Sequence, residues 1–142
     1  MILDKELQYS DAQAITGNVN STNVLDHGLE KNGLGAGEPF VVLVAVGAVT
    51  DNSANATLTL MSNTAEDFSG TDTPIGTLTI AAADIVEGKR FYIPVQVGYN
   101  ASRYTRVEVA AGASDFLADL YLIPQSHQDE FYAFPDNAEI VN

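Results

Sequence analysis

The run Pro39-Phe40-Val41-Val42-Leu43-Val44-Ala45-Val46-Gly47-Ala48-Val49 constrains this chain more than any other stretch. It is the most apolar segment, and such a run is either a strand covered on both faces or a buried helix. β-Branched valines at 41, 42, 44, 46 and 49 favour the strand. Proline cannot donate to a ladder, so Pro39 is compatible only with the strand's first position. The run is too short for a transmembrane helix. It therefore predicts the central strand of a β domain, with shorter, half-buried strands gathered around it.

The rest of the chain supplies those strands. Ala12–Thr16 and Thr22–Asp26 each predict a short strand, with Gly17-Asn18 and Asn20-Ser21 as turn material. Residues 28–37 form a glycine-rich loop, and Thr50–Ser53 a turn. Ala56-Thr57-Leu58-Thr59-Leu60 alternates, with Ala56, Leu58 and Leu60 inward. A polar loop from Ser62 to Pro74 has Phe68 as its anchor, and Thr77–Ile80 alternates again. Ala81–Glu87 predicts one helical turn ended by Gly88. Phe91, Ile93, Val95 and Val97 share a face, and Pro94 marks an edge strand or a bulge. After a turn at Gly98–Ser102, Thr105, Val107 and Val109 face inward while Tyr104, Arg106 and Glu108 face outward. Leu117–Ile123 is the last strand, stopped by Pro124. Strands at intervals of about ten to fifteen residues, with turns between, predict an all-β antiparallel sandwich. No internal repeat is visible. Residues 1–142 read as a single domain with an N-terminal arm (1–10) and an irregular C-terminal tail (124–142).

Charge narrows the partners. The chain carries 19 acidic and 6 basic residues, a formal net charge of −13. Affinity for phosphate backbones comes from Lys and Arg, so neither nucleic acid nor an anionic membrane is expected as a partner. Four of the bases, Lys89, Arg90, Arg103 and Arg106, crowd into one region, and none follows Arg106. Strands 91–97 and 104–110 are consecutive, so a hairpin would gather these bases into a patch for acidic groups on a neighbouring protein. The alternative is a set of exposed, nearly neutral ion pairs. At the N-terminus Ile2, Leu3, Leu7 and Tyr9 stand among charges and call for burial, in their own domain or against a neighbour. Phe131, Tyr132 and Phe134 make the same demand in the tail. These residues, with the four bases, are the candidate protein-interface set.

Catalytic and metal chemistry finds little support. There is no cysteine, so disulfides and thiolate metal sites are excluded. His27 and His127 are the only histidines; no zinc spacing joins them, and each reads as a surface loop residue. Ser126 and His127 are neighbours in sequence, which says nothing of a catalytic triad's geometry. Gly33-Leu34-Gly35-Ala36-Gly37 precedes a strand, whereas a dinucleotide loop follows one and opens a helix. Glu66, Asp67 and Asp72 share a loop but lack the twelve-residue calcium pattern. Asn20, Asn55 and Asn100 open glycosylation acceptor patterns that turn-rich composition explains. Charges at Asp4, Lys5 and Glu6 come too early for a secretory apolar segment, so a soluble chain not exported through a signal peptide is expected. The reading is no enzyme, no cofactor and no metal.

Several segments together resemble a known family. Met1-Ile2-Leu3-Asp4-Lys5-Glu6-Leu7-Gln8-Tyr9-Ser10-Asp11-Ala12-Gln13-Ala14 is similar to the opening of certain bacteriophage capsid cement (decoration) proteins. Ser21–Asp26, Gly35–Pro39, Gly88–Pro94 and Arg103–Arg106 match in the same order, over nearly the whole chain. The acidic, aromatic tail Asp129–Asn142 departs from the pattern. The resemblance implies a jelly-roll domain that oligomerises on the outside of an icosahedral capsid. It implies a virion protein made in the bacterial host cytoplasm, one that clamps neighbouring major capsid proteins and catalyses nothing. A homo-oligomer is expected, a dimer ahead of a trimer. The alternative is a carbohydrate-binding β-sandwich module, which should show a groove lined with aromatic rings; a glycosidase is a distant third.

Overall fold

A computed structural model describes residues 7–27, 40–95 and 103–124. They form seven strands: β1 (Gln8–Asn20), β2 (Leu25–Asp26), β3 (Phe40–Asp51), β4 (Ala56–Asn63), β5 (Thr73–Ile80), β6 (Arg90–Pro94) and β7 (Tyr104–Pro124). A short 3-10 turn lies at Ala82–Asp84, before Gly88. Every strand pairing is antiparallel, and the fold is an all-β, jelly-roll-like sandwich.

The apolar run forms β3, between β6 and β7, and its expected cover on both faces is real: Val41, Val42, Leu43 and Val44 are all buried. Yet the organising strand is β7, with 21 residues. Along one edge its first half pairs with β4 and its second half with β3. Along the other edge it pairs with β2 and then with β1. β5 extends the sheet beyond β4, and β6 extends it beyond β3. One strand thus belongs to two half-sheets, whose inward side chains meet in a shared core. Leu58, Leu60, Ile80, Val107 and Val109 come from one half, and Val42, Val44, Ile93, Phe116, Leu120 and Leu122 from the other. On the opposite face of β3, Val41 and Leu43 join Tyr92 and Ile123 in a second, smaller cluster.

Two expected strand breaks are absent. The segments 105–109 and 117–123 are one strand, and β1 runs through Gly17. Gly17 and Gly112 adopt φ of +61° and +57°, a left-handed backbone that side chains disfavour. The β1–β7 register jumps here, from Thr16 opposite Asp115 to Asn18 opposite Ala110. Facing irregularities let both strands turn the corner without ending. Buried Ser114 pins the β3–β4 connection to this corner: its Oγ accepts from Ala54 N (3.0 Å) and donates to Ala54 O (2.6 Å).

The half-sheets also meet along two seams. β6 is the outermost strand on its side, as Pro94 requires, and it lies against β5. A Cβ on Gly76 of β5 would collide with the Pro94 carbonyl oxygen, so only glycine allows this approach. On the far side, residues 21–24 close over β1. Asn23 N donates to Tyr9 O (2.9 Å), and Asn23 Nδ2 to Gln8 O (3.1 Å). Gln13 Oε1 accepts from Ser10 Oγ and from Thr22 N, while its Nε2 donates to Asn20 O at 2.7 Å.

Candidate functional site

The predicted interface residues do not assemble into one surface among the described residues. Ile2, Leu3, Phe131, Tyr132 and Phe134 lie outside the described segments, as does His127. Leu7 packs half-buried against the core. Tyr9 overturns the expectation of a docking arm up to residue 10: it is fully buried in the core cluster. Gln8–Ser10 already belong to β1 and are buried, whereas Asp4, Lys5 and Glu6 lie outside the described residues.

The basic hairpin does not form either. β3 stands between β6 and β7, which removes the pairing that would have gathered the bases. Lys89 pairs with Asp84 at 3.4 Å, with both side chains about half exposed. Arg103 makes a bidentate bridge to Asp26 (2.7 and 2.8 Å) and lies 5.0 Å from the centre of the Tyr104 ring. Arg106 bridges to Glu108 at 2.9 Å and covers the Phe68 ring at 4.1 Å. Phe68 therefore anchors its loop as expected, under a cation supplied by β7. Arg90, on β6, is half-buried beside Ala45.

Asp67 and Asp72 of the polar loop are engaged locally. Asp67 accepts from Ser69 N at 3.0 Å, and hydrogen bonds from Ser69 hold its carboxyl below the usual range. Asp72 accepts from Asn63 Nδ2 at 2.8 Å. Among the described residues, no group of three or more His, Asp or Glu side chains is placed to hold a metal ion. A shallow groove of about 380 Å³ crosses the outer face of β1, β4 and β7. Its walls include Asn18, Asn20, Thr57, Thr59, Met61 and Glu108, and among the described residues no aromatic ring lines it.

Among the described residues, a polar constellation forms the seam between β1, residues 21–27 and the start of β7. The Tyr9 hydroxyl lies 2.7 Å from Thr105 Oγ1, and the same oxygen lies 2.7 Å from His27 Nε2. Thr105 and Tyr9 are fully buried, and His27 is half-buried rather than the loop-surface residue expected. His27 N donates to Arg103 O (2.8 Å), Ser21 N to Val107 O (2.7 Å) and Val107 N to Ser21 Oγ (3.0 Å). Burial drives the Tyr9 phenol pKa far up and the His27 pKa down, and the nearby Asp26 offsets part of the latter shift. A threonine at an inward position among valines was the one sequence signal of this seam.

Residues 9–117 match the Bbp16 family model. The chain belongs to the Bbp16 family. The matched span of this Bbp16-family chain begins with Tyr9 in β1 and ends within β7. No curated protein matches the chain. Among solved structures, a crystal structure of PirA is 15% identical, with a TM-score of 0.46 over 81% of this chain and 94% of that one. The N-terminal CBM22-1–GH10 modules of Clostridium thermocellum endo-1,4-β-D-xylanase 10B, complexed with xylohexaose, are 11% identical with a TM-score of 0.44. That match covers 87% of this chain and 28% of the xylanase chain.

Proposed function

We propose that this protein is a capsid cement protein: it binds the outside of an icosahedral phage capsid as a homo-oligomer, a dimer ahead of a trimer, and clamps neighbouring major capsid proteins. The observation that carries the reading is where the matched sequence segments fall. Residues 8–14, 21–26 and 103–106 are far apart in the chain yet meet at the polar seam. These are three of the five segments that carry the resemblance; Gly88–Pro94 leads into and forms β6, and Gly35–Pro39 lies outside the described residues. The strongly acidic composition suits docking on a positively charged protein surface. A carbohydrate-binding site gains no support from the aromatic-free groove.

The test is binding of the purified chain to emptied shells of the phage that encodes it. Co-sedimentation and a raised shell melting temperature are expected, with light scattering above the 15.1 kDa monomer. Absence of both binding and the thermal shift at low salt overturns the proposal. Because Tyr9 is a core residue, the informative truncation removes only Met1–Glu6. That variant should fold and bind shells more weakly if Ile2 and Leu3 dock on a neighbour.

A further inference from the structure

The three-membered chain Tyr9–Thr105–His27 has a direction. A threonine hydroxyl has one proton to donate. With His27 neutral and its proton on Nδ1, Tyr9 donates to Thr105 and Thr105 donates to Nε2, so each hydroxyl proton has an acceptor. A proton on Nε2 reverses the His27–Thr105 bond. The imidazolium then donates to Thr105, which leaves three protons for two contacts, so either the Tyr9 or the Thr105 hydroxyl proton has no acceptor within the chain. Among the described residues Thr105 is the only hydrogen-bond partner of the Tyr9 hydroxyl. The phenol is fully buried in the core that contains Ile15, Leu25 and Val107, where an unpaired donor is costly.

We infer that this chain is an acid-sensitive latch: protonating His27 reverses its bond to Thr105 and loosens the seam that fastens β1 and β2 to the start of β7. The charged surroundings of His27 fit this. Asp26, its neighbour in sequence, favours the imidazolium, but Arg103 engages both carboxylate oxygens. Arg103 also feels Tyr104 and Glu66. Burial outweighs Asp26, so the folded-state pKa of His27 lies below its ordinary value of 6.5. The sign follows: the stabilisation is complete above that ordinary value and is lost as pH falls through the folded one.

The test uses the full chain and its two histidines. Urea unfolding of the wild type, His27→Gln and His127→Gln is compared from about pH 7.5 to about pH 5, above most carboxylate titration. The wild type and His127→Gln should lose folding equilibrium constant severalfold over this range, and His27→Gln should lose much less. Imidazole nitrogen shifts of the wild type give a second reading. They should show His27 protonated on Nδ1 at neutral pH and taking up its second proton below the ordinary histidine value. An Nε2–H tautomer, titration at or above the ordinary value, or full pH dependence in His27→Gln overturns the latch. If His27→Gln does not fold, the wild-type nitrogen shifts decide alone.

Discussion

Between β5 and β6 the half-sheets meet with glycine against a proline carbonyl and apolar side chains beneath. Between β1 and residues 21–27 they meet through amides, hydroxyls and an imidazole. The first seam depends on shape. It fails when a side chain is added at the close approach. The second depends on pairing. It has room at its exposed rim, and it fails when a buried group loses its partner or gains a proton. Two edges of one sandwich are thus vulnerable to different substitutions and different conditions.

The largest expected effect is at the dry seam. Gly76→Val should destabilise the fold by about 3 kcal/mol, read as a lower urea midpoint with an unchanged slope, because backbone on β6 must move to admit the side chain. A loss below about 1 kcal/mol would mean that the seam is loose and the contrast false. At the polar seam, Thr105→Val keeps the shape but leaves the Tyr9 hydroxyl and His27 Nε2 without their shared partner. A loss of about 2 kcal/mol is expected, while Thr105→Ser, which keeps the hydroxyl, should lose clearly less. Equal losses would show that the methyl group, not the hydroxyl, matters there. Gln13→Ala removes a side chain that joins Ser10, Asn20 and Thr22 near the rim, and water can replace its bonds. About 1 kcal/mol is expected, with faster hydrogen exchange at Thr22 than in the wild type. Lys89→Ala belongs to neither seam, and its exposed pair with Asp84 should contribute less than about 0.5 kcal/mol, the baseline for the other three.

Most of the β architecture was legible because burial repeats along strands. Ala56, Leu58 and Leu60 in β4, and Thr105, Val107 and Val109 in β7, face inward as their alternation predicts. Pro94 correctly marked an outer strand. The corner was not legible, because glycine at positive φ ends a strand in one context and bends it in another. The outcome at Gly112 depends on Gly17 facing it from a strand nearly a hundred residues away. The polar seam was hidden for the same reason. Nothing local to Tyr9 or His27 announces Thr105, and a tyrosine among charges resembles an exposed arm until its distant partner is known. The basic patch failed because strands consecutive in sequence were assumed to pair, and β3 intervenes.

The position of β7 in the chain has a consequence for how the protein is made. Among the described strands it is synthesised after all the others, and β1, β2, β3 and β4 all pair with it. Before it emerges, only the β4–β5 and β3–β6 ladders can form, and each is a two-stranded ribbon of marginal stability alone. Until β7 emerges from the ribosome, the apolar run lacks its β7 partner, and closure waits for pairings of high contact order. Nascent chains stalled before residue 104 should be degraded by protease, whereas chains extended well past residue 124 should resist it.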